Sequence, residues 1–352
     1  MLMRILKKIL FTLLMLASVA AAFAQHEPSA EPPSLVKWIS FKEAFELNKK
    51  QPKPFIIDIY TDWCGWCKQM MKTTYSNPDL AMYINTWFYP VKFDAETHDT
   101  IEYLGTKYFN PAKGPRSTHQ LTTKLLGNQL MYPSTIFANY NVNFILNSQG
   151  YLDQKKIEPI LIYTLENIFR TTSYEDFGKH FEKAFYDTTK PKIPLKWYTF
   201  KEALDLNKKQ PRKIIVDIYT PWCNGCRVMN KTTFSDSMNV EYINKNFYLV
   251  DFNAELKDSI KFNGATYVND GSNHTPFHQL AMVLVKNNMA LPTTVFIDEN
   301  LNTIDMVPQY LSPKAAEPIL RFYGSNAYKT EKWDAYSKNY NTKKVPEVKS
   351  KK

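Results

Sequence analysis

The chain repeats itself at a fixed offset. Cys64 and Cys223 stand 159 positions apart, and the same offset pairs Trp38 with Trp197, Glu43 with Glu202, Asp58 with Asp217, Glu96 with Glu255, His119 with His278, Pro133 with Pro292 and Pro159 with Pro318. An offset that holds from residue 38 to residue 159 of the first copy means tandem duplicates with almost no net insertion. Two copies are too few for a solenoid. The 352 residues are too many for one ordinary core and suit two domains, each with its own.

The first 24 residues read as a secretory signal peptide. Arg4, Lys7 and Lys8 form a basic start, Ile9 to Ala17 an apolar run, and Ala22-Phe23-Ala24 a cleavage site. The run is shorter than the roughly 18 to 20 residues that span a bilayer, so no stable membrane anchor is expected. No cysteine follows the cleavage site to carry a lipid. Without the three signal-peptide cations the net charge of +10 becomes +7. The remaining basic residues are scattered, except for Lys343, Lys344, Lys349, Lys351 and Lys352 in a polar tail that reads as a solvated end. No nucleic-acid-binding motif is present, so nucleic acid is not an expected partner.

Each copy reads in the same order. Ser40-Phe41-Lys42-Glu43 and Thr199-Phe200-Lys201-Glu202 are capping boxes that start helices, which should stop at the following Lys-Lys-Gln-Pro. Phe55–Tyr60 and Ile214–Tyr219 are β-branched and aromatic runs, continuous enough for strands buried on both faces. A C-x-x-C pair then opens a helix: Cys64 and Cys67 in IYTDWCGWCKQM, Cys223 and Cys226 in IYTPWCNGCRVM. Phe88–Phe93 and Phe247–Phe252 read as further strands. Leu104-Gly105 and Asn263-Gly264 mark an extra hairpin, because both turn positions need positive φ. Helices from His119 and His278, hairpins from Thr135 and Thr294 and closing helices near 153–170 and 312–323 complete the pattern. Phe177, Phe181 and Phe185 recur four apart and predict one more helix that packs in a core or a domain interface. The fold class expected is α/β, with two tandem domains of mixed sheet flanked by helices.

A strand with an Asp six residues before the first Cys, then Trp-Cys-x-x-Cys at a helix start, then a downstream Pro before the next strand, resembles thioredoxin. In detail it resembles the exported thioredoxin-like proteins of bacterial envelopes that carry Trp-Cys-Gly-Trp-Cys. The resemblance spans nearly all of both copies. It implies a protein thiol–disulfide oxidoreductase of the periplasm, leaning to reduction, with no cofactor beyond its own cysteines. Its partners would be exported proteins with thiols or disulfides and an upstream envelope donor or acceptor.

The chemistry fits those residues. A free thiol near pKa 8.5 is mostly protonated at neutral pH, and a helix N-terminus with its free N–H groups favours the thiolate. Cys64 and Cys223 are the expected nucleophiles, and Cys67 and Cys226 the resolving thiols. By the resemblance, Asp58 and Asp217 lie buried beneath the pairs and move the resolving thiol's proton. Pro133 and Pro292 are expected in cis, with Tyr132 and Leu291 offering backbone to a substrate strand. Trp63 and Trp222 shield the sulfurs or simply pack.

Replacing Asp62 by Pro221 removes a negative charge beside the second pair, which should ease thiolate formation there. The resulting division is signal peptide 1–24, first domain 25–172, helical linker 173–194, second domain 195–328, and a C-terminal helix and basic tail 329–352. Two other readings stand beside this one: a Cu(I) or zinc module on the C-x-x-C pairs, with Met70 or Met229 as a further soft ligand, and a scaffold with vestigial sites.

Overall fold

The structure is a computed structural model and describes residues 34–114, 116–189, 193–271 and 275–340. The signal peptide, part of the linker at Lys190 and Pro191, and the basic tail lie outside these residues.

In the first copy, helix α1 (Phe41–Lys50) leads to strand β1 (Phe55–Tyr60), α2 (Gly65–Lys72), α3 (Pro78–Trp87) and β2 (Tyr89–Asp94). A hairpin β3 (Ile101–Tyr103) and β4 (Thr106–Tyr108) follows, then α4 (Gln120–Leu126), β5 (Ser134–Ala138), β6 (Phe144–Gln149) and α5 (Gln154–Leu165). The sheet order is β2-β1-β5-β6, with β1 parallel to β2 and antiparallel to β5. Helix α6 (Tyr174–Tyr186) joins this copy to the next.

The second copy repeats the series as β7 (Trp197–Tyr198), α7 (Phe200–Lys209), β8 (Lys213–Tyr219), α8 (Asn224–Thr232), α9 (Ser237–Asn246) and β9 (Phe247–Asn253). Hairpin β10 (Ile260–Phe262) and β11 (Ala265–Tyr267), α10 (Gln279–Leu284), β12 (Thr293–Ile297), β13 (Thr303–Val307) and α11 (Pro313–Gly324) complete it. Its sheet runs β13-β12-β8-β9-β7, and helix α12 (Trp333–Tyr340) closes the described chain.

The central strands are buried on both faces because side chains alternate across the sheet. Phe55, Ile57 and Ile59 enter one core cluster, while Ile56 enters the other. The turns Leu104-Gly105 (φ 50° and 78°) and Asn263-Gly264 (φ 49° and 80°) have the positive φ that the sequence demanded.

Two local readings change and one helix is added. The C-x-x-C helix of the first copy is short. It stops at Lys72, and α3 restarts behind Asn77, whose side chain accepts from Leu80 N–H, with Pro78 in the first turn. In the second copy Asp236 does the same for α9. That Asn-Pro pair is a helix-start signal the reading of long segments passed over. Second, the capping box is complete at Thr199 and Glu202 but half made at Ser40, where only the serine oxygen accepts from Glu43 N–H. Third, the helix expected over 153–170 ends at Leu165. A left-handed residue, Asn167 (φ 55°), then leads into a short 3-10 turn, Ile168–Arg170.

The stripe Phe177/Phe181/Phe185 packs between the copies. Phe177 and Phe181 share one core cluster with Ile162, Tyr163 and Ile168 on one side and Val228, Met229 and Tyr310 on the other, and Phe185 packs against it. Phe177 is fully buried, and removing a buried aromatic costs about 3–5 kcal/mol. Phe177→Ala is therefore expected to lower the denaturation midpoint of the whole protein. A loss under about 1 kcal/mol would show that α6 is not integral to that core.

Candidate redox sites

Each C-x-x-C pair is made by the same local construction. The central strand ends, a short turn follows, and the first cysteine becomes the N-cap of the next helix in extended conformation, at Cys64 (φ −73°) and Cys223 (φ −76°). The first sulfur accepts from the backbone N–H of the second cysteine, at 3.0 Å in the first site and 3.1 Å in the second. Cys64–Cys67 and Cys223–Cys226 are disulfides, each with Cα atoms 5.3 Å apart. All four cysteines are buried. The helix N-terminus thus faces the sulfur expected to carry charge on reduction.

Asp58 is buried on β1 opposite Thr135 of β5. Its Oδ1 accepts from Tyr75 O–H at 3.3 Å, with Thr135 Oγ1 at 3.5 Å, and its Oδ2 has no hydrogen-bond partner among the described residues. Burial pushes its pKa up to about 7, against the opposing pull of the Tyr75 hydrogen bond and the Lys92 charge.

Asp217 is as deeply buried, yet its surroundings differ in two positions that the 159-residue offset makes visible. Lys92, beside Asp58 across β1 and β2, is replaced by Asp251 beside Asp217 across β8 and β9. Tyr75 is replaced by Phe234, which can donate nothing. Burial and then the Asp251 charge hold the Asp217 carboxyl well above the usual range. Asp217, Cys223, Cys226 and Asp251 line one cavity of about 250 Å³. The change from Lys92 to Asp251 lies on the same 159-residue offset as that from Asp62 to Pro221.

The peptide bonds Tyr132–Pro133 and Leu291–Pro292 are both cis, and Pro133 O accepts from Gly150 N–H at 2.8 Å. Trp63 and Trp222 are half exposed and take no part in the core. Each donates its indole N–H at 3.0 Å to a glutamate, Glu96 and Glu255 respectively. Trp63 also meets Tyr132 edge-on at 6.0 Å, joining the C-x-x-C turn to the cis-proline loop. His119 and His278 are buried N-caps: each Nδ1 accepts from the backbone two residues on, at Leu121 and Leu280, and each Nε2 bonds a carbonyl, Asp99 O or Asp258 O.

Met70 and Met229 sit in the cores, and Met229 Sδ accepts from Leu311 N–H at 3.4 Å. Among the described residues no group of three or more His, Cys, Asp or Glu is placed to hold a metal. None of the described helices is long and apolar enough to cross a membrane.

One residue was missed altogether. Glu166, from the end of α5 in the first copy, reaches the second site. Its Oε2 accepts from Gly225 N–H at 2.8 Å and lies 3.8 Å from Cys223 Sγ. No spacing or motif marks it, because its partners lie 57 and 59 residues away in another domain.

The family model described as Thioredox_DsbH, a protein of unknown function (DUF255), matches residues 21–157, and the thioredoxin-like domain model matches residues 200–324. Over 55 residues the chain is 36% identical to the thiol:disulfide interchange protein DsbD of Salmonella typhi, which covers 14% of this chain and 10% of the relative. The chain therefore aligns with about a tenth of the length of the curated relatives it matches. Among solved structures, a DsbH oxidoreductase aligns at 15% identity over 36% of this chain and 84% of its own, with a TM-score of 0.24. A thioredoxin from Thermus thermophilus aligns at 18% identity over 38% and 94%, with a TM-score of 0.29.

Proposed function

Both halves of this chain are thioredoxin-like domains of the thiol–disulfide oxidoreductase class, and on that premise we propose that the protein reduces disulfides of exported proteins. The observation that carries this reading is the first site. There a disulfide caps a helix N-terminus, and the buried Asp58 carboxyl has a pKa of about 7. A proton carrier works best when its pKa lies near the working pH. In this reading Cys64 attacks the substrate disulfide, Cys67 resolves the mixed disulfide, and Asp58 takes the proton from Cys67 as it becomes a thiolate. Cys223, Cys226 and Asp217 hold the same roles in the second copy, where burial and then the Asp251 charge hold the Asp217 carboxyl well above the usual range. Tyr132-Pro133 and Leu291-Pro292 present backbone to an extended substrate, and Trp63 and Trp222 flank it.

The same reading places the protein in the periplasm, exported by residues 1–24, with an envelope thiol donor upstream. It divides the chain into domains 25–172 and 195–328, with 173–194 as a helical linker and 329–352 as a C-terminal helix and tail. The test is a redox titration of each pair alone, in full-length mature protein with the other pair changed to Ser. Two reversible two-electron transitions on the order of −250 mV are expected for a reductase, and values near about −120 mV would make it an oxidase. Thiols blocked by a stoichiometric metal in both pairs would overturn the reading in favour of a metal module.

A further inference from the structure

The second site is not a copy of the first, because part of it comes from the first domain. The 159-residue offset pairs Glu166 with Ser325, which is exposed, and pairs Gly225 with Trp66, which is 64% exposed. Both members of the contact therefore changed relative to the other copy. Gly225 is buried against the Glu166 carboxylate, and a Cβ at that position would collide with Oε2. The first-domain Trp87 also stacks on Trp222, with centroids 6.1 Å apart and planes 21° apart. The offset places Asn246 where Trp87 stands and Trp63 where Trp222 stands.

The groups that face Glu166 can be named. From α8 come Cys223 Sγ and the N–H of Gly225, with Asn224 N–H also stabilising the ionised carboxylate. From α3 comes Tyr83, whose phenol is held up first by burial and then by the Glu166 charge. Asp79 and Glu158 line the same small cavity as Tyr83 and Asn224. Among the described residues no cation offsets the Glu166 charge. Burial is the leading influence and pushes its pKa up to about 8, so at neutral pH the carboxyl holds a proton. In the disulfide the Cys223 sulfur carries no hydrogen, so the 3.8 Å approach is a contact rather than a hydrogen bond. Reduction creates the charge at that spot.

We propose that Glu166 is a positioning residue of the second site, supplied by the first domain, that keeps its proton beside the Cys223 thiolate. The ionisation of this carboxyl and the redox state of the second pair are then linked. The inference rests on the oxidoreductase reading for its biological use but not for its test. A dithiol such as dithiothreitol gives two electrons to Cys223–Cys226, breaks the S–S bond and closes its own disulfide. Cys223 becomes a thiolate, Cys226 takes one of the dithiol's protons and the other goes to solvent. Glu166 keeps its own proton and can donate it as a hydrogen bond to the new thiolate. Losing it would leave two negative charges in contact. Because the coupling is mutual, raising the pH to ionise Glu166 disfavours reduction of the second pair.

The test uses the full mature chain with Cys64→Ser and Cys67→Ser, so that only the second pair responds. The Glu166 carboxyl is followed by carbon-13 NMR of labelled glutamate, assigned by its absence in Glu166→Gln, in the oxidised protein and after reduction with excess dithiothreitol. Its titration midpoint is expected to rise by at least one pH unit on reduction. An unmoved or lowered midpoint overturns the proposal.

The second readout is the equilibrium of the same pair with dithiothreitol from pH 6.5 to 9, with and without Glu166→Gln. The equilibrium constant for reduction in the Glu166 protein should fall relative to the Gln variant by about fivefold or more across that range. A ratio that differs from one but stays flat would mean a merely structural Glu166 and would also overturn it. Loss of protein-disulfide turnover alongside the expected carboxyl shift would count against the oxidoreductase reading and leave the Glu166 coupling standing.

Discussion

The Cys64→Ser/Cys223→Ser double variant will fold like its parent and will reduce a protein disulfide no faster than free dithiothreitol does. Both halves of that expectation follow from the N-cap geometry. Serine is a good N-cap, so the replaced side chains still satisfy the N–H groups at the starts of α2 and α8. Each disulfide closes a loop with a sequence separation of only 3, so its loss costs about 2 kcal/mol on the loop-entropy account. The extensive cores around β1 and β8 hold the fold. The only cysteines left in this variant are Cys67 and Cys226, which are buried and lie inside the first turn of their helices rather than at the N-cap where the attacking sulfur stands. Turnover should drop by more than about 100-fold. Circular dichroism and a dithiothreitol-driven disulfide reduction assay check the two halves together. Retained activity in a folded variant would refute the assignment of the nucleophiles. Changing only Cys67 and Cys226 to Ser should instead trap mixed disulfides with substrate, because the attack survives and the release does not.

The oxidised protein will lose stability as pH rises from about 5 to about 8. Asp58 is protonated in the folded state until near pH 7, whereas in the unfolded chain it ionises near its ordinary value of 3.8. Between those values the folded state binds more protons than the unfolded one, so each step up in pH favours unfolding. Asp58 alone contributes a loss of about 4 kcal/mol between its two pKa values, about 3 kcal/mol of it above pH 5, complete once pH passes 7. Asp217 and Glu166 have the same sign, because both are also held up by burial, and Glu166, pushed up to about 8, carries the loss to higher pH. His119 and His278 act oppositely: burial lowers their pKa, so they penalise the fold only at acid pH, below about 6.5. Thermal midpoints from pH 5 to 8 measure the balance. The Asp58→Asn/Asp217→Asn variant should show a much flatter profile, and a parent profile that rises over that range would refute the protonated carboxyls.

Most of the scaffold was legible because the chain states it twice. A strand run such as Phe55–Tyr60 could be a buried helix segment when read alone. Its repetition at Ile214–Tyr219, each time just before Trp-Cys-x-x-Cys, settles the choice. The placement of Asp58, Cys64 and Pro133 was equally legible, since they are joined by neighbouring strands and short loops.

What escaped was what sequence neighbours do not fix. The break between α2 and α3 depends on one Asn-Pro pair inside an otherwise helical stretch. The different environments of Asp58 and Asp217 depend on cross-strand partners, Lys92 and Asp251, that gain meaning only once the register is known. The removal of Asp62 at the second site promised less negative charge there. Glu166 supplies a carboxyl to that same helix end from another domain, and the left-handed turn at Asn167 follows it. Distant packing decided that contact, and local pattern could not.

The shared core around α6 also has a consequence in time. A chain made from its N-terminus completes α6 early, yet His180 of that helix waits for Tyr310, 130 residues later, to form their hydrogen bond. At about 5–20 residues per second the delay is on the order of ten seconds. For that interval the aromatic face of Phe177 and Phe181 has only the first domain to cover it. A nascent chain paused there is a natural client for a chaperone.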